Sequence, residues 1–585
     1  MNMKKTIILA ALVALSFGLK AQVDDGVYNE SVVVKGSYTP VIDQAEKLNF
    51  PAQITDTLSR IEHAFQYNIT PTRLRAMYEP TRIRAARIVG EPATKLYNNY
   101  LRLGMGNYWT PLADLYWSST RDRLKTYGVR INHLSSWGKL TKLPEYGPVQ
   151  QGNTGVTLFG KYIVGDVLQL SSDLSYEHDH NLYYGFTDNT LQSTLGLLRD
   201  NISTSDYSAS YNVATWNAGI RNMELDTKKL GYAANVHLSD LWGIWGQNEL
   251  NLNLSGDVHY GFNIKNLYKG IAYLHAEWDF YRNQMPNTMP LGYNVTPMPT
   301  LDNKGGIVKV NPYVDYLFRG LQFRTGLIAG WDAFAANNNN SAFHVFPDVT
   351  VSKKLMHDNL VLSLAATGGM DAVSLNAIRQ INPYITPDYI PFATYHYDFI
   401  FHTRWTLSRK LEANAEVSYS LLEGDPVFRL SQAYSLNNVY EVFAISDNHL
   451  TVGGDITFVN DEMITLRAGG HYYNYTYTGP GVMGDTYVKL YRPDWDALVS
   501  VKVNYHDKWF FYLEGQLIGK VQGDGNQELP MRYGINAQVE YRHNRALSFF
   551  LQMDNLAFQR YWYWVNYPSQ RGLFIAGLTY TIPHK

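Results

Sequence analysis

From about residue 96 to the end, apolar and polar residues alternate one for one through segment after segment, and this constrains the fold more than any other feature. In Leu250-Asn251-Leu252-Asn253-Leu254-Ser255 the leucines fall on one side and the polar residues on the other. Leu168, Leu170, Leu174 and Tyr176 oppose Gln169, Ser171, Asp173, Ser175 and Glu177. Ile535, Ala537, Val539 and Tyr541 oppose Asn536, Gln538, Glu540 and Arg542, and Leu547, Phe549, Leu551 and Met553 oppose mostly small or polar partners. A period of two belongs to a strand, whose successive side chains point to opposite faces. One face is apolar and the other carries Asp, Glu, Arg and Asn, the pattern of a wall with lipid outside and water inside. A soluble antiparallel sandwich would alternate in the same way. The long unbroken series of similar segments, together with the N-terminus, favours a transmembrane antiparallel β-barrel.

The N-terminus reads as an export signal. Lys4 and Lys5 precede an apolar run from Thr6 to about Phe17, and Ala21 offers a small residue for cleavage before Gln22. That run is shorter than the ~20 apolar residues of a spanning helix. No later stretch approaches that length, so a mature chain that lives in a membrane must do so as a closed barrel. The predicted organisation is a signal peptide over 1–21, an N-terminal extension over 22–95, periplasmic or lumenal, and an outer-membrane barrel over 96–585.

Composition narrows the function classes. A formal net charge of -2 lacks the basic excess that nucleic-acid binding needs. The absence of cysteine excludes a disulfide scaffold, a thiolate-ligated metal, a cysteine nucleophile and a lipidated N-terminal Cys. Charged residues make up 17%, below the roughly 25% of soluble domains. The 45 tyrosines suit a barrel with aromatic girdles.

Connections fall into two kinds. Short polar turns are expected at Gly165-Asp166, Asp226 to Lys229, Arg319-Gly320, Ser408 to Lys410, Asn460 to Glu462, His506 to Lys508 and Arg542 to Arg545. Longer connections are expected at about 136–150, 179–205, 281–303, 371–393, 422–448 and 520–531; the Asn337 to Asn340 run reads as a flexible polar loop. Short turns on one side and long loops on the other are the outer-membrane arrangement, with the turns periplasmic. The strand count is about 22, within a range of 16 to 22 because the segments near 112–122, 230–240 and 261–268 are weak.

The last stretch carries Asn555-Leu556, then Tyr561-Trp562-Tyr563-Trp564, Tyr567-Pro568, Gly572, and Ala576-Gly577-Leu578-Thr579-Tyr580. It resembles the final two strands of TonB-dependent receptors. That resemblance implies a 22-stranded barrel, with Tyr561 to Trp564 as interfacial aromatics. It also implies a closing strand whose Phe574, Ala576, Leu578, Tyr580 and Ile582 share a face and which zips against the first strand. The usual terminal Phe is absent. Near the N-terminus, Val32-Val33-Val34-Lys35, Tyr38-Thr39-Pro40, Lys47-Leu48-Asn49, Tyr97, Gly104, Gly106, Asn107 and Tyr108 resemble plug-poor barrels of Bacteroidetes grouped with those receptors. The resemblance to TonB-dependent receptors implies a plug domain ahead of the first strand, yet about 75 residues stand there, short of a full plug. Val32, Val33 and Val34 read either as a TonB-box-like strand, pairing with an energising protein by β-addition, or as an ordinary short strand.

Pro71-Thr72-Arg73-Leu74-Arg75-Ala76 recurs as Pro80-Thr81-Arg82-Ile83-Arg84-Ala85, followed by Arg87. Arginine at every second position gives an extended segment with a cationic face. Arg73, Arg75, Arg82, Arg84 and Arg87 form either a lumenal strip paired with wall carboxylates such as Asp173, Glu177 and Glu540, or a solvated linker or partner-docking strip. Glu177-His178-Asp179-His180 has metal-ligand types, but on a strand its two histidines do not converge, so it reads as a polar loop entry. The loops around Asp371, Asp388 and Gly523-Asp524-Gly525 have oxygen ligands suited to weak calcium binding, without EF-hand spacing. No catalytic signature is present, and no cofactor, metal or catalytic residue is assigned. The sequence points to a non-enzymatic barrel in solute transport or permeation. The alternative is a structural platform. Partners in these readings are outer-membrane lipid, surface lipoproteins, and periplasmic TonB-type or envelope-assembly proteins.

Overall fold

The computed structural model describes residues 99–582, apart from segments 120–121, 123, 166, 224–228, 265–267, 294–301, 335–342, 461–462 and 480–488. Twenty-two antiparallel strands form one closed sheet. The first, Asn99–Gly106, pairs on one edge with Thr110–Ser118 and on the other with the last, Leu573–Tyr580. Every other strand pairs with its neighbours in sequence, and closure leaves no free edge. The weak segments belong to the strands Thr110–Ser118, Gly231–Gly243 and Asn248–Ile264, which brings the count to the upper end of the range. Among the described residues, no helix is long and apolar enough to cross a membrane.

The alternation places apolar side chains outside. Trp509, Phe511, Leu513 and Leu517 of one strand are exposed, whereas Phe510 between them is buried inward. The neighbouring strand Trp495–Tyr505 has eleven residues, with an exposed aromatic at each end and Val499, 54% exposed, midway. That is the length of one β crossing of a bilayer, about 9–11 residues, with an aromatic at each interface. This is an integral outer-membrane barrel.

Leu101 at the start of the first strand pairs with Tyr580 at the end of the last, so both ends of the barrel lie on one rim. The short turns share that rim. Arg319-Gly320 is a tight two-residue turn with both residues at positive φ (49° and 74°), the conformation that matches strand twist, and Gly takes the second position at no steric cost. The long connections lie on the opposite, extracellular rim. One of them differs from expectation. The stretch 422–448 is mostly strand: Leu411–Leu430 and Tyr440–Asn460 stay paired to Leu430↔Tyr440, leaving only 431–439 as loop. The register shift between Glu423 and Asp425 absorbs Gly424 (φ 78°) as a bulge, and the ladder resumes.

The glycines of the two terminal patterns meet at the closure. Gly104 stands opposite Gly577, and the Phe550 ring packs over both from inside. A Cβ on Gly577 would lie 2.1 Å from the Leu103 carbonyl oxygen and 2.5 Å from the ring, so only glycine fits. Two asparagines complete the seam. Asn107 donates from Nδ2 to Gly572 O (2.9 Å) and accepts at Oδ1 from Phe574 N (2.9 Å). Asn99 makes the same clasp with Ile582 at the other rim.

Candidate functional site

The extracellular loops fold over the mouth and pack into a roof. Its core includes Tyr183, Tyr184, Leu191, Ile385, Tyr389, Tyr434, Tyr440, Tyr491, Trp564 and Tyr567, all nearly or fully buried. A loop that leaves the solvent must still satisfy its carbonyls, and here tyrosine hydroxyls donate to them. Tyr183 reaches Ile385 O (2.8 Å), Tyr184 reaches Pro568 O (3.0 Å), Tyr440 reaches Val565 O (2.8 Å), and Tyr567 reaches Asn438 O. Each bond joins loops distant in sequence. The Tyr384 and Tyr567 rings stack at 3.5 Å, with Tyr184 edge-on to both. Burial pushes the Tyr184 and Tyr567 phenols well above their ordinary range, so they stay protonated donors.

Two short helices stiffen the roof. In α1 (Asp188–Leu195) the Thr187 side chain caps the start, and Gly196 in the left-handed region (φ 67°) ends it. In α2 (Leu375–Ile381) Ser374 caps the start, and a second acceptor comes from the barrel wall. The Glu249 carboxylate, 3% exposed, takes the backbone N–H groups of Leu375 (2.6 Å) and Asn376 (3.0 Å). A helix N-terminus has such unsatisfied donors and a positive dipole end, which stabilises a buried carboxylate. Arg379 of α2 pairs with Asp179 of the strand Leu168–Leu182 and lies over the Tyr211 ring. Thus α2 is tied to two parts of the wall.

A third tie holds the loop before the strand Trp495–Tyr505. Asp425, Asp447 and His449 bring ligand-type atoms within 4.8 Å of one another, but the Arg492 guanidinium sits among them. It pairs with Asp425, donates to Asp447 Oδ2 (2.9 Å) and lies 3.1 Å from His449 Nε2. Burial opposes the Arg492 charge, yet the two aspartates hold its pKa above the usual arginine value. The group is a charge clamp filled by arginine. Nearby, Asp524 accepts from the Tyr491 hydroxyl (2.6 Å) and Leu430 N (3.1 Å), and burial raises its pKa.

Below the roof the inner wall is polar and largely paired. Asn253 donates to Glu277 (2.7 Å) and Asp279 (2.6 Å), and Lys309 reaches Glu277 (2.9 Å) and Asp371 (3.6 Å). Arg324 binds both oxygens of Asp315. Asp173, Glu177 and Glu540 face inward, opposite the exposed Leu174, Tyr176 and Ile535. Arg73, Arg75, Arg82, Arg84, Arg87, Val32, Val33, Val34 and Tyr97 lie outside the described residues, as does the Asn337 to Asn340 run.

The C-terminal motif is divided between seam and roof. Gly577 and Tyr580 are in the closing strand, and Asn555 and Leu556 open the loop. Tyr567 and Pro568 pair with Trp562 and Trp564 in a small hairpin. Tyr561 and Trp564 are buried rather than placed at the lipid interface, and the Trp564 ring packs against Phe428 and Tyr440 in the roof. The sequence reading missed the roof tyrosines. Their signal was available: Tyr384, Tyr389, Tyr434 and Tyr491 lie in long connections rather than at strand ends, where a girdle would put them.

No family model matches the sequence, and neither does any curated protein. The fold is similar to that of several solved structures. For a point mutant of the ferric enterobactin receptor PfeA from Pseudomonas aeruginosa, the TM-score is 0.59 at 12% identity, over 83% of this chain and 80% of that one. The FrpB iron transporter from Neisseria meningitidis gives 0.60 at 9%, over 84% and 82%. The siderophore receptor PirA from Acinetobacter baumannii gives 0.61 at 9%, over 84% and 81%. At such identities the similarity is one of fold.

Proposed function

We propose that the protein is an outer-membrane transport receptor, related to TonB-dependent receptors of Bacteroidetes, which passes a solute through a lumen gated from outside by the tyrosine roof. The observation that carries this reading is the roofed mouth of a 22-strand barrel. A porin that works by free diffusion keeps a water-filled channel; interlocked loops over the mouth imply a passage that must be opened. The solved structures of similar fold include proteins named as siderophore receptors and an iron transporter, so ferric siderophores are the first solutes to try.

In this reading the arginine strip Arg73 to Arg87 lies against the inner-wall carboxylates as a short plug, and Val32 to Val34 pairs with a TonB-type protein. The test compares accumulation of radiolabelled ferric siderophores in cells with and without the gene, and with Val32–Val34 replaced by glycine. Transport predicts gene-dependent accumulation that the triple-glycine change abolishes. If accumulation is the same without the gene across the siderophore panel, that solute class falls. If the purified barrel instead brings down a stoichiometric set of envelope-assembly proteins, the transport reading itself falls.

A further inference from the structure

Glu177-His178-Asp179-His180 brings four ligand-type residues together in sequence, and the strand takes them apart. Glu177 and Asp179 face the lumen, where Asp179 holds Asn153 and Arg379. His178 and His180 face outward, in line with the exposed Leu174 and Tyr176. Strand register extends this row. Thr154 stands beside His178 on one side and Asn212 on the other, and His133 stands beside Thr154. Each imidazole is held by its neighbours. His133 Nδ1 lies 2.8 Å from Thr154 Oγ1, and its Nε2 lies 3.1 Å from Ser135 Oγ. His178 Nδ1 meets Asn212 Oδ1 (2.9 Å), which also accepts from the Tyr176 hydroxyl, and His180 Nδ1 meets Ser210 Oγ. The rings of His178 and His180 are therefore oriented from their Nδ1 side, with Nε2 directed away from that contact.

The row sits high on the lipid-facing wall. On the strand Lys125–Lys139 the exposed Tyr127 and Trp137 mark the two membrane rims, and His133 and Ser135 lie between them, nearer the outer one. His178 and His180 lie just beyond Tyr176. Polar side chains on the lipid face are costly, and the wall satisfies His178 and His180 through Nδ1 alone in the contacts with Asn212 and Ser210. The outward positions of Lys125–Lys139, Pro148–Val164, Leu168–Leu182 and Ser208–Asn222 contain no Asp or Glu. They do contain the three histidines, with Lys139 at the outer rim. Hydrogen-bonding imidazoles and an ammonium without an acidic residue on that face complement a phosphate.

We propose that this face binds the phosphorylated head group of an outer-leaflet lipid, with His178, His180 and Lys139 directed to the phosphate and Trp137 and Tyr176 against the acyl boundary. The inference rests on the membrane setting of the barrel and stands apart from the transport reading. Detergent-purified protein is mixed with bis-phosphorylated lipid A or its dephosphorylated form, and retained lipid is read by native mass spectrometry. Wild type should retain the phosphorylated lipid and release the other. The H178L/H180L variant should lose retention by about tenfold. That variant removes polar groups from a lipid-facing wall, so its heat-shifted electrophoretic migration should still report a folded barrel; should it not fold, Lys139→Glu alone must lower retention. Equal retention in wild type and variants, or of both lipid forms, overturns the proposal. So does loss of a co-purifying protein in the variants with lipid retention unchanged.

Discussion

Tyrosine serves two environments in this chain, and at the residue scale the roof depends on the second. Tyr505 meets the lipid interface, whereas Tyr567 is buried with its hydroxyl on the Asn438 carbonyl. Removing only that hydroxyl, in Tyr567→Phe, should cost about 1–3 kcal/mol, because a buried carbonyl loses its donor. Tyr567→Ala should cost about 3–5 kcal/mol, since it also leaves a cavity against Tyr384 and Tyr184. Near-ultraviolet circular dichroism melts of the detergent-solubilised protein would check both, and equal effects would mean the hydroxyl dominates. Asp524 gives a pH-dependent case. Burial raises its folded pKa above the unfolded 3.8, because the charged carboxylate is disfavoured in the roof. The linked stability is present below about pH 4 and is lost as pH rises through the folded value. Asp524→Asn keeps an oxygen acceptor for Tyr491 and Leu430 without the charge. It should raise the roof's melting temperature at pH 7 and change little at pH 3; the same shift at both values would rule out charge burial as the cause.

At the scale of elements, the strands were legible and the loop architecture was not. Alternation is written locally, so Leu168 to Glu177 or Ile535 to Arg542 declare a strand and its lipid-facing side without reference to the rest of the chain. Inward-folding loops are written in pairs of residues hundreds of positions apart, such as Tyr184 and Pro568, which no local pattern links. The expected connection at 422–448 differed for the same reason, since only the partner strand shows that the ladder resumes past Gly424. The anchoring of α2 by Glu249 is likewise tertiary. Glu249→Ala strands two helix N–H groups, each a loss of about 1–3 kcal/mol. Hydrogen exchange at Leu375 and Asn376 should then accelerate while the Asn248–Ile264 ladder stays protected. At the seam, Asn99→Ala with Asn107→Ala removes both clasps. Amides of Asn99–Gly106 should exchange faster than those of Trp509–Ile518, and uniform exchange would mean the backbone ladder alone closes the barrel.

For the whole molecule, the roof and the wall divide the labour. The wall is a continuous closed sheet with inner charges such as Lys309 and Glu277 or Arg324 and Asp315 matched within it. The roof is held by Tyr–carbonyl bonds, by Glu249 on α2 and by Arg492 among Asp425, Asp447 and His449. Planar-bilayer recordings of the purified protein should show low conductance, and deletion of 375–390 should raise it severalfold. If the deletion leaves conductance unchanged, the constriction lies below the roof.

The roof also dictates an order of events during assembly. Its bonds reach from the loop after the fifth strand to the loop before the last: Tyr184 awaits Pro568, and Tyr440 awaits Val565. These partners arrive only when nearly all of the chain has been made, and contacts of such separation form late because the intervening chain must be ordered first. The 555–572 loop therefore acts as a keystone. Until it is seated, a nascent barrel has a wall but an open mouth, and anything destined for the interior has that interval in which to enter.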